Sequence, residues 1–290
     1  MDVTELAGAL AIEELTKNGN TKSARRLFQR ALLAPNDNVV AQAQWAARNL
    51  GFVQTNVLSV DNRILEVSEA ACYQALSHGD LRLAYQKALS WHVDEPFASR
   101  PMIAASYLAS MLRDFRDAVM IAGAGLVIEP DNVALLNNQA FSQLCLGNLE
   151  EALESLTAAL RVGDIIDPHT VANLGLLAYL SLRPDVGFQA YTNATKAFEH
   201  SGKKSSAVMA RVFHAFAAKN VNDPRAVRLL EEARVSVGKL LDPLVQHAAR
   251  SILDSRDWEG TFRVHREDFF QQGDGSVLER VHGLLSKRLE

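Results

Sequence analysis

The chain repeats itself at a shift of 34 residues. Ala84, Ala118 and Ala152 stand one period apart, and other residues then fall into register. Tyr73, Tyr107 and Phe141 share a column. Gly79 and Gly147 share another, with Arg113 between them, and Pro96 and Pro130 share a fourth. A fixed period of this size is the mark of stacked supersecondary units, none of which can bury its apolar face alone.

Each column has a physical reason. Gly79-Asp80 and Gly147-Asn148 fall where one helix must stop and the chain reverse, and glycine takes the left-handed conformation without a Cβ penalty. The alanines open the second helix at its closest approach to the first, where a larger side chain would push the two apart. The prolines follow the second helix and end it, because proline lacks the next backbone donor.

With these columns the chain resembles the tetratricopeptide repeat, a helix–turn–helix of 34 residues. The clearest copies are 65–98, 99–132 and 133–166. The last reads Asn148-Leu149-Glu150-Glu151-Ala152-Leu153, then Ala158-Ala159-Leu160, which is close to the family's commonest wording. Ser68, Met102 and Leu136 stand where the family has a tryptophan, and Arg113 replaces a turn glycine. The resemblance implies an all-α fold, a right-handed superhelical solenoid of antiparallel helix pairs.

Weaker copies flank the core. Residues 4–35 read as a helix pair turning at Gly19-Asn20, with Ala24, Phe28 and Ala31 at helical spacing. Residues 38–50 read as a further first helix, and 52–62 as a loop or short helix. Thr170–Ser181 and Val186–His200 form the next pair, followed by helices near 205–219 and 224–239. Asp167-Pro168, Asp223-Pro224 and Asp242-Pro243 each place an N-cap before a proline suited to the first helical position. Ser276 and Glu279 form a capping box ahead of an apolar stripe through Val277, Val281, Leu284 and Leu285. That segment reads as a helix that either covers the last repeat or pairs two chains. Three regions result: degenerate repeats and a linker over 1–62, core repeats over 63–202, and degenerate repeats with a cap over 203–290.

Composition narrows the function classes. Hydrophobic residues make up 48% of the 290, and the net charge of −4 is wrong for a nucleic-acid binder. Charge is uneven, −7 before residue 203 and +3 from there on, which reads as solvated helix faces. Cys72 and Cys145 are too few and too far apart for a disulfide framework or a zinc site. The first residues lack a basic segment and carry Glu5, Glu13 and Glu14, unlike a signal peptide, and no window is apolar enough to enter a membrane. A cytoplasmic setting is expected. No nucleotide-binding, zinc-protease or nucleophile-elbow motif occurs. Gly123-Ala124-Gly125 lacks a third glycine and falls within a helix, where it favours close packing; His214, between Phe213 and Ala215, reads as a packing residue. No cofactor, metal or catalytic set is expected.

The resemblance also implies a binding face. First helices of such repeats line the concave side, where partners lie as extended peptides or short helices. The positions here are Tyr73, Tyr107, Asn137, Asn138, Phe141, His169, Asn173 and Tyr179. Asn138 and Asn173 occupy equivalent places, and an amide can bond a peptide backbone through both its donor and its acceptor. The other reading packs the aromatics between helices and bonds the asparagines locally. The basic residues with which chaperone-binding members clamp a terminal carboxylate are absent: Ile103, Tyr107 and His169 stand in their places. The expected role is a protein-binding adaptor or assembly factor for a neutral or amphipathic segment. The alternatives are a homo-oligomeric scaffold and a recruiting module of a larger enzyme.

Overall fold

The computed structural model describes residues 3–33, 37–52, 68–162, 166–240 and 243–254. All regular structure in them is helical. The helices are α1 (Val3–Thr16), α2 (Thr21–Ala31), α3 (Asp37–Leu50), α4 (Ser68–Ser77), α5 (Leu81–Asp94), α6 (Ser99–Met111) and α7 (Phe115–Ile128). They continue as α8 (Val133–Leu146), α9 (Leu149–Arg161), α10 (Pro168–Leu180), α11 (Pro184–His200), α12 (Lys204–Asn220), α13 (Ala226–Gly238) and α14 (Pro243–Asp254). The segment beyond Phe52 and the helix expected over 276–289 lie outside the described residues.

The chain divides into two compact units, Met1–Pro96 and Phe97–Glu290, a division that falls within the run of 34-residue copies. In the first unit α1 pairs with α2 and α4 with α5, while α3 packs on α1. Phe28 is fully buried there against Phe52, with ring centroids 5.8 Å apart. Trp91 is likewise enclosed, and Tyr73 meets it edge-on at 6.1 Å. In the second unit the antiparallel pairs are α6–α7, α8–α9, α10–α11 and α12–α13, and α14 lies on α12 and α13. The first helices also pack on one another in order, α6 on α8, α8 on α10, α10 on α12.

One backbone device recurs at the turns of α4–α5, α6–α7, α8–α9 and α10–α11. After the first helix a residue turns left-handed, and the next amide reaches five residues back to a carbonyl. Asp80 N bonds Ala75 O, Asp114 N bonds Ala109 O, Asn148 N bonds Gln143 O, and Arg183 N bonds Ala178 O. This six-to-one bond satisfies a carbonyl that the helix end would otherwise orphan. Gly79 and Gly147 take the turn at φ 77° and 84°. Arg113 takes it at 65°, Leu182 at 59° and Asn222 at 57°, so the geometry is kept where glycine is lost. The side chains of Asp80 and Asn132 cap α5 and α8 by accepting from Leu83 N and Leu135 N. Asp167 caps α10 ahead of Pro168, as its sequence suggests. Pro224 does not open α13. Asp223 instead accepts from Arg225 N at 2.8 Å, and the helix begins at Ala226.

The small-residue column sets how closely each pair packs. Ala84, Ala118 and Ala152 are all fully buried. At the corresponding place in α11 stands Gly187, where a Cβ would lie 2.4 Å from Tyr179 Cδ2 and 2.9 Å from Gly175 O. Gly175 is equally constrained, since a Cβ there would sit 2.9 Å from Tyr191 Cδ2. Gly125 has a packing role too: its Cβ would fall 2.7 Å from Leu135 Cδ1.

Two substitutions test these constraints by urea titration. Gly187→Ala should cost about 1–3 kcal/mol, the usual cost of overpacking. Arg113→Gly should stabilise by about 1 kcal/mol, because the left-handed conformation penalises any Cβ.

Candidate functional site

The first-helix layer of the second unit is the surface the repeat leaves open. Each helix turns one stripe away from its second-helix partner, with residues three and four apart. On α6 the partly or fully exposed stripe is Ile103, Ala104, Tyr107 and Met111. On α8 it is Ala134, Asn138, Phe141 and Cys145. On α10 it shrinks to His169, Ala172 and Asn173, because every residue from Leu174 to Ser181 is buried. On α12 it is Ser206, Met209 and Phe213. Phe141 and Phe213, on helices separated by α10, bring their rings to 5.2 Å. These two rings join α8 to α12 directly.

The expected lining residues divide into three groups. Tyr107 is 44% exposed, and beside it Phe141 is half-buried, edge-on to Phe115 at 6.5 Å. These two form the accessible apolar part of the face. Tyr73, 50% exposed, belongs to the first unit. His169 sits at the start of α10, its Nδ1 2.8 Å from Asp167 Oδ1 and its ring against Phe198 at 4.6 Å.

The asparagines spend their donors inside the layer. Asn138 Nδ2 donates to Ile103 O at 3.1 Å and to Ser106 Oγ at 2.9 Å. Asn173 Nδ2 donates to Asn137 O at 3.1 Å and to Asn137 Oδ1 at 3.3 Å. Ser110 and Ser142 add a buried rung at 2.8 Å. These bonds tie α8 to α6 and α10 to α8, so the amides fix the register of those three helices. Asn137 is 5% exposed and contributes only to a rung.

Tyr179 was expected on the face and lies wholly inside the core. The buried run of α10 turns it toward α11 and α12, where its hydroxyl is 2.9 Å from His214 Nε2. Asp223 holds Arg225 through two guanidinium bonds of 2.8 Å; Arg225 also reaches Asp185 at 2.9 Å and covers the Phe188 ring at 4.5 Å. Tyr191 stacks on His214 at 4.8 Å, nearly parallel. Burial pushes the His214 pKa down to about 4, and burial also raises that of Tyr179. Arg225 holds Asp223 below its ordinary value. His214 is thus a packed, hydrogen-bonded histidine, and the node locks α10 through α13 together. Sequence reasoning missed Asp223–Arg225 as a pair, although an Asp two residues before an Arg at a helix start signals such a turn. It also missed Phe213 on the face, although that residue stands 34 positions after Tyr179.

Among the described residues no cluster of three or more His, Cys, Asp or Glu is placed to hold a metal, and no helix is long and apolar enough to cross a membrane. No protein-family model matches the sequence, and no curated protein matches it. Among solved structures the chain is similar to a thermophilic TPR protein of Thermus thermophilus, at 17% identity and a TM-score of 0.40. That match covers 74% of this chain and 98% of the other.

The node has a pH signature. His214 is neutral in the folded state with a pKa near 4, against about 6.5 in an unfolded chain. A group with a depressed basic pKa favours folding above the unfolded value and loses that contribution as pH falls through the folded value. Between pH 6.5 and 4, wild type should lose about 3 kcal/mol more than His214→Phe, read as the change in urea midpoint with pH.

Proposed function

We propose that this chain is a non-catalytic protein-interaction module, an adaptor or assembly factor, that holds a peptide or protein segment against the α6–α8 arc of the first-helix layer. The observation that carries this reading is the open stripe of Tyr107, Met111, Asn138 and Phe141, lying beside the ridge where Phe141 meets Phe213. An exposed aromatic beside small residues such as Ala104 and Ala134 offers an anchor on an open surface, as helix- or strand-binding faces use. The rungs leave the arc pre-organised, so a partner pays little to order it.

Protein is the favoured class of partner over nucleic acid, because the chain's net charge is −4. Cys72 and Cys145 are both free thiols, which favours a reducing, cytoplasmic setting. Homo-oligomeric scaffolding and recruitment to a separate catalytic protein remain compatible uses of the same surface.

The test is peptide display. Peptides selected on the full chain should lose at least about tenfold in affinity on Tyr107→Ser, roughly the loss of one anchor of 1.4 kcal/mol. The helical circular dichroism should be unchanged, since Tyr107 is half exposed. Selected peptides indifferent to Tyr107→Ser and to Phe141→Leu would move the site off this face. A dimer that dissociates on Tyr107→Ser would favour the scaffold.

A further inference from the structure

Charge on the second helices changes sign at the start of the chain. In the second unit α7, α9, α11 and α13 all carry carboxylates. Helix α2, the second of its pair in the first unit, carries Lys22, Arg25, Arg26 and Arg30 and no acid, within a stretch before residue 203 whose net charge is −7. Ala24, Phe28 and Ala31 bury the opposite side of the helix, while Lys22, Arg26 and Arg30 are exposed. These three stand four residues apart, so they form a row that rises about 6 Å per step. Among the described residues none of the three side chains makes an ion pair or a hydrogen bond. On α1, which packs on α2, Glu13 is taken by Lys17 at 2.7 Å and Glu14 by Asn18 at 3.0 Å. Like charges four residues apart weaken a helix, and Lys22 in the first turn opposes the positive end of the dipole. The row works against its own helix and is left without a counter-charge.

We propose that the Lys22–Arg26–Arg30 row docks an acidic α-helical segment of a protein partner, one with carboxylates four residues apart on a single face. The surface belongs to the first unit and does not depend on the first-helix face proposed above. A helix laid along α2 repeats its carboxylates at the same rise, so three pairs form without deforming either backbone. Two of the three cations are arginines, whose guanidinium fork matches a carboxylate through two parallel bonds. Leu33, three residues past Arg30, is 84% exposed and adds an apolar contact that a protein helix can answer and a phosphate backbone cannot. The row is only about 12 Å long, and it belongs to a chain of net charge −4. A bilayer or a nucleic acid extends past such a row and meets the acids of the rest of the chain. A single helix stays within about 8–10 Å of the row, one Debye length, where the local cations decide the interaction.

The experiment uses the full chain and three labelled alanine-based helical peptides with a leucine at each end. One carries glutamate at three positions four apart, one has glutamine at those positions, and one has the three glutamates spread around the helix. Fluorescence anisotropy at low salt should show the glutamate row binding at least about tenfold more tightly than either control, the gap closing as salt is raised. Arg26→Glu/Arg30→Glu should weaken the glutamate row on the order of tenfold and favour a peptide with lysine in its place. Helical circular dichroism should be unchanged, since both residues are exposed. Equal or undetectable binding of the three peptides, or a glutamate row indifferent to the double reversal, would overturn the proposal. Tighter binding of phosphatidylserine vesicles or of a single-stranded oligonucleotide, lost on the same reversal, would overturn the helical occupant and give the row to a lipid surface or a nucleic acid.

Discussion

Four helix pairs, α4–α5, α6–α7, α8–α9 and α10–α11, depend on the chain reversing within two or three residues while leaving no carbonyl orphaned. The six-to-one bond after a left-handed residue achieves both, and it recurs at Asp80, Asp114, Asn148 and Arg183 regardless of what precedes it. Once that reversal is fixed, the second helix must cross the first near its start, and the crossing distance is set by what stands there. Ala84, Ala118 and Ala152 allow ordinary contact, whereas Gly187 against Gly175 allows a closer one that admits Tyr179. The buried Tyr179–His214 contact is thus a downstream product of the turn.

Much of this was legible in the sequence because turn, crossing and helix end recur at one spacing. The alanine column, the turn glycines and the Asp167 cap were each readable from local chemistry. What could not be read was the direction of individual side chains once the register slips. Tyr179 follows the same periodic logic as Tyr107, yet in α10 the whole C-terminal half is enclosed, and the residue points into the core. Asn138 and Asn173 were legible as a ladder, but an amide on a helix face can donate outward or to its neighbour, and residue identity does not distinguish these. Pro224 did not open α13, which begins two residues later at Ala226, although Asp223 accepts from Arg225 N as Asp167 does from His169 N.

The chain separates two tasks between its helix layers. Second helices are strongly patterned, with acids outward and Leu, Ala and Phe inward, as in Leu149, Ala152, Leu153 and Leu156 of α9. First helices are buried on several sides at once and α6, α8, α10 and α12 hold no Asp or Glu, since they pack on their partners and on one another. Polar atoms in that layer must therefore find partners within it, which explains why serine and asparagine rungs occur there. The exposed remainder, from Tyr107 to Phe213, is small, and its apolar chemistry stands out against the charged second helices.

Repeat proteins made only of neighbour contacts behave as a chain of links, each able to fray without consulting the next but one. The contact between Phe141 and Phe213 joins α8 to α12 across an intervening repeat. Such a contact couples next-nearest neighbours, so opening the α10–α11 repeat costs the flanking repeats their mutual contact as well. The second unit should then gain cooperativity: its middle melts with its sides, and partial unfolding is confined to the ends of the stack.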